Sequence, residues 1–495
     1  MLNRRAFLRA AGLGAAGSLA VACTPIYREL AGDTAESGDF TETPLSDFRA
    51  LSRMTFGARF VDRQFVLMHG LSAWIEEQLD PDTIDDSSVE WRLRSLESLK
   101  LPPKDVEAWE ENDVVAELSQ SAILRATYSN RQLFEVMVRF WSDHFNISVE
   151  KGECWLLKPT DEREVIRPHT FGRFEELLGA SAHSPAMLVY LDNQANIWEA
   201  PNENYAREVL ELHTLGVEGG YSQDDVMELA RMLTGWRVKE HFWKGEFTFE
   251  EDWHDPGVKT FMGDGISPAD IREAEAVLLS LANAPSTARH ISIKLIRRFV
   301  CDDPEHEARE LIERAARTFL ETRGDIQQVV RLILLDGLSS LPETRLPKFK
   351  RPFEYVVSAL RLLGADTDGG APIQEYLRVM GQPLYAWPTP DGPADDASAW
   401  VTNLLPRWNF ALDLVDGNLE GTEFHPRDFV RSLLDDPSDD SLDRLSHLLI
   451  GEGPNQRISD IKFAHLRAGD EEDLVDEAAF LTAAVLLSPE FQWRG

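Results

Sequence analysis

The chain has 495 residues, with 85 acidic against 50 basic side chains and a formal charge of −35. A body this acidic repels nucleic-acid phosphates and anionic membrane faces, which excludes DNA and RNA as partners. Three cysteines, Cys23, Cys154 and Cys301, are too few for a disulfide scaffold and lack the spacing of a zinc site.

In chain order, the first signal is "MLNRRAFLRAAGLGAAGSLAVAC". The pair Arg4-Arg5, then Phe7, Leu8 and Arg9, precedes an Ala/Gly-rich run too short to span a bilayer. This pattern reads as a twin-arginine export signal over residues 1–22. "AVAC" serves ordinary signal peptidase through Ala20-Val21-Ala22, and it serves a lipoprotein peptidase through Cys23 as the lipidated first mature residue. Both outcomes place the protein outside the cytoplasm, periplasmic and free or periplasmic and lipid-anchored. The membrane is expected as a partner only through that anchor. The polar segment 23–45 reads as a flexible tether.

Length alone allows about two to four domains. No Pro/Ser-rich linker or repeat follows residue 45, so residues 46–492 are expected to form one mainly α multi-helical body. "RQLFEVMVRFWSDHFNI" spaces Phe134, Val138, Trp141 and Phe145 as one buried stripe of a helix. Cys154 and Cys301 lie far apart; they either pair in an oxidising compartment or stay as two thiols. In "GGYSQDDVMELARMLTGW", Ser222 is placed as an N-cap with Asp225 three residues on. Further helices are expected at about 70–80, 106–129, 172–183, 268–283, 286–300, 304–323, 325–336, 351–364, 396–416 and 470–488. Two segments break the helical period. Residues 241–263 alternate at Phe247 and Phe249, turn at Asp255-Pro256-Gly257 and resume at Thr260 and Phe261, as a small β-hairpin insertion would. "GQPLYAWPTPDGP" opens a long irregular loop near 381–395, and its Tyr385 and Trp387 favour an ordered one.

Chemistry concentrates in "NENYAREVLELHTLG". On a helical wheel Glu203, Arg207 and Glu211 share a polar face with Asn204 and Glu208, while His213 falls among the apolar residues. Two readings stand. The charges are ion pairs of a solvated face worth about 0.2–0.5 kcal/mol each, or they wall a site in which Glu208 and Glu211 form paired carboxylates for acid/base work or a hard cation. His144, His254 and Asp255 are the candidate ligands for a divalent metal. The basic islands "IKLIRRF" (Lys294, Arg297, Arg298) and "PKFKRPFEY" (Lys348, Lys350, Arg351) either neutralise carboxylates or hold an anionic group. Trp198, Trp236 and Trp387 offer faces for sugar stacking.

The segments "LSRMTFGAR", "FWSDHFNIS", "APNENYAREVLELHTLGVEGGYSQDDVMELARMLTGW", "HDPGVKTFMG", "KRPFEYVVSALRLLGAD" and "GQPLYAWPTPDGP" occur in this order. Together they resemble the bacterial family called domain of unknown function 1800, over about residues 45 to 490. The resemblance implies a helical exported protein, encoded beside a sulfatase-like exported partner of the family called domain of unknown function 1501. It implies no settled activity. The chain departs from the family where "HNHF" is usual, with Ser142-Asp143-His144-Phe145, and where "HHPAM" is usual, with His183-Ser184-Pro185. The block 202–216 matches, which makes Glu203, Arg207, Glu208, Glu211 and His213 the first catalytic candidates. The expected function is an extracytoplasmic hydrolase or related enzyme on anionic polysaccharide; the alternative is a non-catalytic accessory or chaperone-like partner of the sulfatase-like protein.

Overall fold

Helix Gln132–His144 carries the expected stripe, with Val138, Trp141 and Phe145 buried, and Phe134 packed against the core from its edge. Its other face is buried too: Glu135, Arg139, Ser142, Asp143 and His144 are all enclosed. Helix Pro352–Leu362 is likewise buried all round, taking Glu354 and Arg361 inside with it. Polar groups carried inside must find partners there, because an unpaired buried charge is costly. Two polar-faced helices at the centre therefore force a buried ion network, and the rest of the architecture is arranged around it.

The computed structural model describes residues 43–240, 244–338, 347–433, 440–456, 458–459 and 474–494. The expected export signal, Cys23 and the tether up to residue 42 lie outside the described residues. The fold is mainly α, 62% helical, with only small two-stranded antiparallel sheets. Among the described residues no helix is long and apolar enough to cross a membrane.

Around the central pair, Glu111–Tyr128, Cys154–Asp161 and Leu405–Val415 form one flank, and Leu474–Leu487 packs against the last of these. Pro285–Phe299, Arg309–Glu321 and Ile326–Leu338 pack on one another as a second flank. The expected 304–323 helix is split, because Ala308 leaves helical geometry between Pro304–Glu307 and Arg309–Glu321. The expected 396–416 helix starts only at Leu405, where Pro406 sits in the first turn and lacks an N–H to continue an earlier one. The helices Leu45–Met54, Phe60–His69 and Ala371–Val379 lie outside the expected set.

Ser222 caps helix Gln223–Met232 as expected, in a reciprocal box with Asp225. Ser222→Ala is expected to cost about 1 kcal/mol, read from the urea midpoint, and an unchanged midpoint would deny the box any weight.

The strands in the 241–263 region exist, but they pair differently from the expected hairpin. Phe247–Phe249 pairs backward with Trp236–Val238. Lys259–Phe261 pairs forward with Asp264–Ile266. Met262 and Gly263 both take positive φ, 50° and 87°, the geometry of a tight two-residue turn. That turn closes the second hairpin locally and leaves Phe247–Phe249 to its earlier neighbour. A third pair, Lys348–Phe349 with Trp493–Arg494, sets Lys348 opposite Arg494 and brings two cations to the network at once. Cys154 and Cys301 are both buried and do not pair with each other.

Candidate functional site

Segment 203–213 is one continuous helical run in two forms. Glu203–Glu208 is α-helical, capped by the Asn202 side chain, and Val209–His213 winds as a π-turn. A π-turn inserts a residue and shifts the helical phase of the residues after it, a distortion often found at functional sites. Arg207 bridges Glu203 at 2.7 Å and Glu211 at 3.6 Å, the i,i+4 pairs the wheel implies. The face is neither solvated nor closed. Glu203, Arg207 and Glu211 expose 28%, 36% and 29% of their side chains. Burial, then Glu211, then Asp391 raise the Glu208 carboxyl above its ordinary value, with Arg207 opposing.

The 381–395 loop is ordered. Val149 N–H donates to the Tyr385 carbonyl at 2.8 Å. The Asn146 amide donates to the carbonyls of Trp387 and Thr389 at 3.1 and 2.8 Å. The Tyr190 hydroxyl donates to Pro388 O at 3.1 Å. Gly392, at φ 73°, lies against the end of helix Gln132–His144, and a Cβ there would collide with the Asp143 carbonyl oxygen. Only glycine allows the loop tip to come that close. Asp391, beside it, acts electrostatically on Glu208 and on Lys294 alike.

The π-turn ends on three imidazoles. Lys294 Nζ donates to His144 Nδ1 at 2.8 Å, so the proton of His144 belongs on Nε2, which lies 3.2 Å from the His213 carbonyl. His290 Nε2 meets the Leu212 carbonyl at 3.2 Å. The two rings thus satisfy carbonyls that a helix end leaves without an intrahelical partner. His213 itself is 1% exposed, and neither ring nitrogen has a hydrogen-bond partner. Burial and Lys294 hold His144 well below the usual histidine range, and bring His213 to about 3 and His290 to about 4. Burial also brings the Lys294 ammonium down to about 8, with Asp143 opposing and Arg297 adding to the fall. The sequence pattern does not single out His290. Its only signal there is its position four residues before Lys294 on a helical period.

The basic islands divide. Lys294 meets His144, and Arg297 Nε donates to the Asp302 carbonyl at 3.3 Å. Arg298, Lys348 and Arg351 sit in the buried network. Arg351 meets Asp143 at 2.8 Å, whose other oxygen meets Arg139 at 2.5 Å. Arg298 and Arg494 converge on Glu354, and Lys348 pairs with Asp302. Asp395 completes the set, 3.6 Å from Arg298 and 3.9 Å from Arg494. Burial alone would raise the Glu354 carboxyl, but Arg494, Arg298 and Arg351 hold it far below the carboxylate range. Trp387 lies half-buried in the loop, 6.1 Å from the Trp400 ring.

The suggested metal set is not brought together. His144 is committed to Lys294 and the π-turn. His254 is buried with Nδ1 on the Thr234 carbonyl and Nε2 2.7 Å from Glu273, which also takes Lys259. Asp255 is held by Arg231 at 2.7 Å. These are structural bonds of the two hairpins. Among the described residues no group of three or more His, Cys, Asp or Glu side chains is placed to hold a metal ion. His183 packs on Trp236 and Phe247, away from His144 and His213.

A family model described as "Protein of unknown function (DUF1800)" matches residues 49–493. No curated protein and no solved structure matches the chain.

Proposed function

The chain belongs to the DUF1800 family, and we propose that this member is an exported enzyme cleaving anionic polysaccharide, or its fragments, by acid–base chemistry. The observation that carries this reading is the approach of Asp391, on the ordered loop, to Glu208 on segment 203–213 and to Lys294 on helix Pro285–Phe299. Burial and the neighbouring carboxylates raise the Glu208 carboxyl above its ordinary value, and an amine sensed by the same aspartate is brought down to about 8. Glu208, so raised, is the acid toward a leaving oxygen. Lys294, near neutrality part ammonium and part free amine, steadies an anionic group or takes a proton. Export is proposed from Arg4-Arg5 and the apolar run behind them. The test incubates purified protein with uronate and sulfated oligosaccharides and follows new reducing or unsaturated ends. Turnover of an anionic glycan, and none of its neutral counterpart, is the expected result; no turnover across the panel would sink the proposal.

A second reading, an accessory partner of an exported sulfatase-like protein, draws on a different surface. Helix Leu405–Val415 exposes Leu405, Trp408 and Leu412 at 64%, 42% and 42%, an apolar stripe at helical spacing. If this reading holds, the two proteins co-purify and Trp408→Asp abolishes the association. Co-purification that survives Trp408→Asp would place any contact elsewhere.

A further inference from the structure

A cavity lined by neither Glu208 nor Lys294 has no part in that reading. It has a volume of ≈ 380 Å³, within the range of small-molecule sites. Its walls are apolar: Leu93, Leu96, Leu99, Leu118, Ala122 and Val138. Its rim is basic, with Arg94, Lys100, Arg125 and Arg163, of which Arg125 pairs with Glu90 at 3.2 Å and Arg163 with Glu164 at 2.8 Å. In a chain carrying −35 charges, a positive rim is the exception.

The floor is polar and partly unsatisfied. Glu135 and Arg167 satisfy each other in a two-bond pair of 2.7 and 2.9 Å. Glu162 opens a second π-turn, Glu162–Ile166, which follows the helix containing Pro159, and it takes Ser142 and Lys158 at 3.2 and 3.3 Å. Arg139 is different. It is 7% exposed, gives one nitrogen to Asp143, and has Nε and Nη1 without hydrogen-bond partners. Its guanidinium lies 5.4 Å from the Tyr385 ring centre and 5.9 Å from that of Phe353, both lining the cavity. Tyr385 is held at φ 58°, a conformation a non-glycine residue adopts only when its surroundings impose it. Arg139 thus brings to the cavity lining a charge whose donors its protein neighbours do not fully use.

We propose that this cavity binds a small amphipathic organic anion, its acid group on the open nitrogens of Arg139 and its apolar body along the leucine wall. The rim cations draw the anion in, and the leucines select against anions that are polar throughout. Glycan cleavage by Glu208 does not depend on this site, so either proposal can fail alone.

The test is calorimetric titration of the purified chain with dodecanoate, dodecyl phosphate and uncharged dodecanol. Saturable one-to-one binding of dodecanoate or dodecyl phosphate is expected, the pair telling a carboxylate from a phosphate head. Dodecanol should bind at least about tenfold more weakly. Three variants read three parts of the site. Ala122→Phe fills the space, Arg94→Glu with Lys100→Glu reverses the exposed rim, and Arg139→Gln removes the charge at the floor. Each should weaken the anion by about tenfold or more. The rim variant, made at exposed side chains, keeps the wild-type melting curve and so separates lost binding from lost fold. Absence of saturable binding, equal affinity for dodecanol, or wild-type affinity in both the Ala122→Phe and rim variants overturns the proposal.

Discussion

Acidification from pH 6.5 toward pH 4.5 is expected to destabilise the protein steeply. An unfolded histidine protonates near 6.5, whereas His213 and His290 hold out to about 3 and about 4 in the fold, and His144 stays well below its ordinary value. A base whose folded pKa is depressed gives stability that is complete above 6.5. That stability is lost as pH falls, because only the unfolded chain takes up the protons. Each imidazole contributes about 1.4 kcal/mol per pH unit in that window, so two pH units over three histidines approach the whole stability of a typical fold, about 5–15 kcal/mol. Glu354 acts in the same direction only below the ordinary carboxylate range, which leaves the upper window to the histidines. Glu208 acts oppositely, being stabilised when protonated, but it is a single half-buried group. Urea midpoints measured between pH 7.5 and 4.5 check this. His213→Phe should flatten the slope by one proton and, having removed two unpartnered ring nitrogens, hold or raise the midpoint at pH 7.5. A midpoint constant from pH 7 to 5 would mean that the imidazoles are not held neutral.

Glu208→Gln is expected to lower turnover of a cleavable anionic glycan by about 10²–10⁴-fold, the usual contribution of a positioned acid. Its melting curve should match or exceed that of the parent. Gln keeps the shape and removes the charge that Glu211 and Asp391 oppose, so fold and rate move in different directions. Lys294→Met should lose rate as well, and the pH–rate profile identifies its part. In the parent the profile bends near pH 8, where Lys294 titrates, and the variant lacks that bend. Glu203→Gln, which only loosens the pairs with Arg207 and Gln223, should change rate little. A Glu208→Gln protein that turns over like wild type would remove the acid from this helix and leave the ion-paired reading of the face standing.

The helical class, the Ser222 cap, the buried stripe of 132–144, the ordered loop and the Glu203–Arg207–Glu211 pairs could all be read from the sequence. Each rests on interactions within about one helical turn or on the period of apolar residues, and both are properties of a chain segment. The same local rules do not say what covers a polar face. Asp143, 208 positions from Arg351 along the chain, meets it at 2.8 Å. His144 meets Lys294 across 150 positions. Burial of helix 132–144 on every side is what demanded those partners, and burial is decided by all the neighbours together. The same holds for the metal candidates. His254 and Asp255 look like ligands as letters, but tertiary packing assigns them to Thr234, Glu273 and Arg231. It also decided the π-turn: its carbonyls are met by imidazoles from helices 69 and 78 residues away, and those contacts lie beyond the reach of any local pattern.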